Sequence, residues 1–172
     1  MPNAAFRIDA SDLGKDGELR RRLATAIAMG RDLRPLYKRV GLLMIRSVHD
    51  TFDSADRNIA GGGRAKWPKL KQTTLDARKW RSKNGGPQYH ERMLLQSGDL
   101  RQKNAWEYKA TKSYVDIGTS TPYAGLHQKG GTIKAWGRTT VKVPARTLIQ
   151  FFRDDLQHIE ERSDQYLKET GL

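Results

Sequence analysis

The residues able to do chemistry are few and scattered. The histidines are His49, His90, His127 and His158, and no two of them have the spacing of a helical zinc site such as H-E-x-x-H. His49-Asp50 and His90-Glu91 are adjacent pairs. Neighbours along a helix or strand point in different directions, so neither pair grips one metal ion. Gly61-Gly62-Gly63-Arg64-Ala65-Lys66 superficially resembles a phosphate loop. That loop requires Gly-Lys-Ser/Thr between a strand and a helix; here Trp67 follows Lys66 and the preceding element reads as helix. In Leu95-Gln96-Ser97-Gly98-Asp99-Leu100 the nucleophile elbow G-x-S-x-G fails at its first position. Ser97 reads instead as a cap, Gly98 as the residue that permits an unusual backbone angle, and Leu100 as an inward anchor. Asp50, Asp53 and Asp56 read as helix-end and loop residues, since a two-metal cluster needs more carboxylates than this region offers. The chain therefore shows no support for an enzyme, a cofactor or a metal site.

One segment does combine types that suit a polyanion. RAKWPKLKQTTLDARKWRSK interleaves cations with Trp67 and Trp80. Tryptophans stack on bases while lysine and arginine meet phosphates. The competing reading, which we favour, has Trp67 and Leu70 packing the segment onto the domain, with the charges in solvent. The candidate contact residues for a partner or DNA are Arg64, Lys66, Lys69, Lys71, Arg78, Lys79, Arg81 and Lys83.

The elements that must position these residues are legible from periodicity. Residues 4 to 10 read as a short strand with Phe6 and Ile8 on one face. Leu19, Leu23, Ala26 and Ile27 recur at helical spacing, and Gly30 stops that helix. A second helix begins near Asp32 as N-cap with Pro35 in its first turn. Its buried stripe is Leu36, Val40, Met44, Val48 and Phe52. From 53 to 96 the periodicity breaks at Gly61-Gly62-Gly63 and again at Asn84-Gly85-Gly86-Pro87. Between Arg57 and Arg92 stand ten Lys or Arg and only two acids, Asp76 and Glu91. Long excursions of this kind are functional or disordered. Thr73 to Arg81 predicts a short helix within it, capped by Thr73 or Thr74.

Residues 105 to 118 predict an antiparallel hairpin turning at Ala110 to Ser113. The run YVDIGTSTPYAGLHQKGGTI, Tyr114 to Ile133, reads as a packing device: a strand, a tight turn, one helical turn and a glycine hinge. Thr132–Ala135 and Thr140–Val143 predict a second hairpin through Gly137. A last helix buries Phe152, Leu156, Ile159, Ser163, Tyr166 and Leu167, with Asp154 and Asp155 at its positive end. The whole predicts a single α+β domain over 1–172. N-terminal helices and a C-terminal helix pack on a small antiparallel sheet, and 53–96 is a long, basic, partly flexible loop.

Charge points outward from this domain. The chain of 172 residues carries 32 Lys and Arg against 19 Asp and Glu, a formal net charge of +13. Such a surface suits a polyanionic partner or a charge-matched assembly. From Phe151 onward the sign reverses, with six acids against three bases. Cysteine is absent, which removes disulfides, thiolate nucleophiles and cysteine metal sites. No stretch approaches the roughly 20 apolar residues of a membrane span, and MPNAAFRIDASDLG has no signal-peptide core. A soluble protein made in the cytoplasm is expected.

Several pieces stand in a specific order. They are Val48-His49-Asp50-Thr51-Phe52, Trp67-Pro68-Lys69-Leu70, Thr74-Leu75-Asp76-Ala77-Arg78-Lys79, Leu95 to Arg101, Val115-Asp116-Ile117-Gly118-Thr119, Pro122-Tyr123-Ala124, His127-Gln128, Gly130-Gly131-Thr132-Ile133 and Pro144-Ala145-Arg146. In this order the chain resembles the phage virion morphogenesis family, the Mu-type tail completion proteins of phages and prophages. It departs at Leu148-Ile149-Gln150, where Pro-Phe-Leu or similar is expected. The resemblance implies a structural protein of the virion, assembled in the host bacterial cytoplasm. It would complete the tail or join tail to head, as an oligomeric ring contacting neighbouring tail or head-connector proteins and possibly packaged DNA. The alternative is a non-enzymatic nucleic-acid-binding protein that uses the basic loop. In the family reading Trp67, Leu70, Ser97, Gly98, Gly118, Pro122, Tyr123, His127, Gln128, Gly130 and Gly131 are structural. His127 is expected to supply the hydrogen bond that ties the helical turn to the hairpin.

Overall fold

A computed structural model describes residues 4–13, 17–57, 67–91, 94, 99–102, 104–135 and 139–171. The long helix α2, Arg34–Arg57, organises the core. Leu36, Val40, Met44, Val48 and Phe52 are all essentially sealed from solvent, as a stripe repeating every four residues requires of a core-facing helix. The helix begins one residue later than Asp32 as N-cap would give. Leu33 accepts the Tyr37 N–H at 3.0 Å, while the Asp32 carboxylate accepts the Arg34 N–H at 2.9 Å from just outside the helix. The helix α1, Gly17–Ala28, ends as predicted at Gly30. That glycine has φ +70°. Its N–H reaches Ile27 O and that of Arg31 reaches Ala26 O, the paired bonds of a left-handed helix stop.

The sheet has three antiparallel strands in the order β1-β3-β2. They are β1, Ala4–Asp9, β2, Glu107–Ala110, and β3, Tyr114–Thr119. Pairing Phe6 with Ile117 and Ile8 with Val115 puts the apolar residues on one face, because side chains alternate along a strand. The opposite face pairs Arg7 with Asp116 through two bonds of 2.7 and 2.9 Å. Thr111 closes the β2–β3 turn by bonding Tyr114 O with both its N–H and its hydroxyl. The sheet lies on α2 so closely that a Cβ at Gly41 would sit 2.6 Å from the Tyr108 ring. No larger residue fits there without displacing the Tyr108 side chain.

The C-terminal helix α5, Arg153–Glu169, packs on α2 and α1. Its inner face differs from expectation at one position. Leu156 is only half-buried, and Asp155 is buried in its place. The Asp155 carboxylate accepts the Phe152 N–H at 3.2 Å and the Ser47 hydroxyl at 2.6 Å. It thus caps its own helix and fastens it to α2.

Two helices enter the region from 53 to 96 among its described residues. α2 runs through Arg57, and a further helix α3 spans Gln72–Lys83. Its cap is Lys71, with no side-chain cap bond, so neither Thr73 nor Thr74 plays that part. The helix α4, Ala124–Lys129, precedes a second, separate sheet formed by β4, Gly131–Ala135, and β5, Thr139–Val143.

Candidate functional site

The signature run Tyr114 to Ile133 folds into a lock on the chain leading to α5. Its key is Gln128. The Gln128 Oε1 accepts the N–H groups of Leu148 and Ile149 at 2.7 and 3.1 Å, and Nε2 donates to Ile149 O at 2.8 Å. A carboxamide carries donor and acceptor together, so one side chain replaces a missing strand neighbour for this stretch. One residue earlier, His127 O accepts the Arg146 N–H at 2.6 Å.

The His127 side chain does not make the tie expected of it. Its Nδ1 is buried without a partner, and its ring meets Tyr123 edge-to-face at 5.9 Å. Burial first, and Arg146 second, hold its pKa below the ordinary histidine value, which favours the neutral ring. The bond belongs instead to the next side chain and to the His127 backbone. Sequence reasoning named both residues but gave the bond to His127, because either side chain can offer one and nothing local separates them.

The rest of the signature supports this lock. Gly130 has φ +71°, and a Cβ there would stand 2.8 Å from Ala145 N. A Cβ on Gly131 would meet Leu126 Cδ1 at 2.9 Å. The Tyr123 hydroxyl donates to Asp99 Oδ2 at 2.8 Å, joining Pro122-Tyr123 to the turn at Asp99–Arg101. Leu100 is fully buried there, and its carbonyl accepts the Trp106 indole N–H at 2.9 Å. Gly118 lies inside β3, opposite Ala5 and Glu107. Ser97 and Gly98 lie outside the described residues.

The basic segment is pinned at one end and open along its length. Trp67 is 7% exposed. Its ring stands edge-on to Phe52 at 5.3 Å, and its N–H bonds Thr147 O at 3.0 Å. It is an anchor, not a stacking platform, and Leu70 beside it is half-buried. Lys69, Lys71, Lys79, Arg81 and Lys83 are exposed, as is Trp80 at 67%. Arg78 departs from that set. It is buried and donates to His90 O at 3.0 Å, where it holds the returning chain against α3 instead of facing outward. Arg64 and Lys66 lie outside the described residues.

Several acids of α5 bond to groups of the same chain. Asp164 meets Arg22 at 3.0 Å and Lys168 at 2.6 Å, and Glu169 meets Arg39 at 3.3 Å. The Lys168 ammonium first, with Arg22 adding to it, holds the Asp164 carboxyl below its usual range. Asp155 on Ser47 and Glu161 on the Gln157 amide add to these partners within the fold.

Among the described residues no three His, Asp or Glu side chains group to hold a metal. A groove of about 530 Å³ along α2 is lined by Leu42, Ile45, Arg46, His49, Phe52, Asp53 and Arg101. Its carboxylate, Asp53, is bonded to Arg101 at 2.8 Å. No helix among the described residues is long and apolar enough to cross a membrane.

No solved structure matches the chain. It is 32% identical over 125 residues to the Mu-like prophage FluMu G protein 2 of Haemophilus influenzae, across 72% of this chain and 76% of that protein. The family model for phage virion morphogenesis matches residues 15–168, which takes in α1 to α4, β2 to β5 and all but the last residue of α5, and leaves out β1. The chain belongs to the phage virion morphogenesis family.

Proposed function

We propose that this protein is a non-enzymatic structural component of a phage or prophage virion. It acts late in assembly, as an oligomeric ring that completes the tail or joins it to the head. The observation that carries the reading is the family match over residues 15–168. The physical character of the chain supports it. Polar side chains are used as locks between segments, as Gln128 and Asp155 are. Open charge is presented on α3 by Lys79, Arg81 and Lys83, and just before it by Lys69 and Lys71, toward a neighbouring tail or head-connector protein or toward packaged DNA.

Deleting the gene and imaging the lysate by electron microscopy tests this directly. Full heads beside unattached or misshapen tails are the expected result. Normal infectious particles would overturn the reading.

A second reading rests on Trp80, exposed between the cations of α3. An exposed indole among lysines suits a nucleic-acid strand. In that case affinity for an oligonucleotide falls steeply as salt rises. Self-assembly through apolar contacts weakens far less.

A further inference from the structure

The β4–β5 hairpin stands apart from the fold. Its strands pair with each other from Gly131↔Val143 to Ala135↔Thr139 and, among the described residues, pack substantially on no other element. Two strands of this length reach about 17 Å from their base. A lone two-stranded hairpin is marginal in water and needs a further surface to hold it. One face carries the cross-strand pair Ile133 and Val141, 41% and 38% exposed. The other carries Thr132, Lys134, Thr140 and Lys142, all exposed. No Asp or Glu occurs between Asp116 and Asp154, while Lys129, Lys134, Arg138 and Lys142 all fall there. The hairpin is therefore uniformly cationic.

A surface of the opposite sign exists on the same molecule. Between α1 and α5 lies a groove of about 330 Å³ lined by Glu18, Leu19, Arg22, Glu160, Glu161 and Asp164. Four carboxylates face one guanidinium there. We infer that the β4–β5 hairpin of one copy docks in the α1–α5 groove of the next copy, with Lys134 and Lys142 against Glu18 and Glu161. This contact rests on the ring reading above and specifies its interface. Two different patches of one chain meet head to tail, and such a contact closes into a ring when the rotation allows. Complementary charge fixes the register and rejects like-charged alternatives.

Sedimentation velocity of the full chain tests this with three variants, each first checked for an unchanged melting temperature. Lys134→Glu with Lys142→Glu should weaken self-association at least tenfold. Glu18→Lys with Glu161→Lys should do the same, since both acids are exposed. The variant carrying all four changes should return to within about threefold of the parent, because the pairs are swapped and not lost. If the parent assembles and the reversals leave assembly untouched, or the fourfold variant fails to recover, the hairpin contact is wrong and the ring reading survives. A parent that stays monomeric at every concentration overturns both. Loss of duplex-oligonucleotide binding in the lysine variant, with self-association intact, makes the hairpin a nucleic-acid arm and overturns the docking contact.

Discussion

Replacing Gln128 by alanine removes three hydrogen bonds at once, two accepted from Leu148 and Ile149 and one given to Ile149 O. Leu148 and Ile149 are buried, so their backbone groups do not simply turn to bulk water. A net hydrogen bond is worth about 1 kcal/mol, and a buried group left unpaired costs about 1–3 kcal/mol. Partial entry of water at this half-buried side chain brings the sum to about 3 kcal/mol. His127→Ala removes a half-buried ring and one edge contact with Tyr123. It also deletes an Nδ1 that has no partner. An aromatic contact of that kind contributes about 0.5–1.5 kcal/mol beyond its area, so the histidine variant should lose less than the glutamine variant. Gln128→Glu keeps both acceptor bonds, loses the donor, and should fall between parent and Gln128→Ala. Urea denaturation followed by circular dichroism gives all three values from the midpoint and slope. A His127→Ala loss equal to or greater than that of Gln128→Ala would refute the assignment of the lock. So would a Gln128→Ala loss below about 1 kcal/mol.

Other outcomes follow from the same geometry. Gly130→Ala should destabilise by more than about 2 kcal/mol, combining left-handed strain with a clash on Ala145 N; an unchanged melting curve would contradict the packing seen there. Trp67→Ala should cost about 3–5 kcal/mol as a large core truncation, whereas Trp67→Phe should lose less by keeping the ring against Phe52. The neutral state favoured for His127 means its folded pKa lies below its unfolded value near 6.5. Its contribution is therefore fully present above that value and is lost as pH falls through the folded pKa. His127→Asn should narrow the stability difference between neutral and acidic pH, measured by urea titration at each pH. Exchanging Lys69, Lys71, Lys79 and Lys83 for glutamate should leave the melting temperature nearly unchanged, since all four are exposed, and should abolish complementation of a gene deletion. Adding Arg78→Glu should lower stability as well, because Arg78 is buried against His90 O.

Periodicity determined most of the scaffold. The stripe from Leu36 to Phe52, the strand through Phe6 and Ile8, the 105–118 hairpin and the stop at Gly30 are all read from local spacing. Burial needs only one consistent face, and backbone freedom needs only a glycine, so both are written in adjacent residues. The ordered pieces from Val48 to Arg146 identified the family for the same reason, since each is a short local motif. What sequence could not decide is how polar side chains are shared between distant segments. Gln128 and His127 are neighbours, yet the glutamine reaches Leu148 and Ile149 while the histidine ring turns to Tyr123. Asp155 looked like a simple dipole partner, but Ser47, more than a hundred positions away, draws it into the core and displaces Leu156. Arg78 looked like one more surface cation until the chain returned at His90 to cover it. Charge on a helix is a local fact, whereas its exposure depends on what folds over it. That depends on long-range packing, which only the tertiary structure fixes.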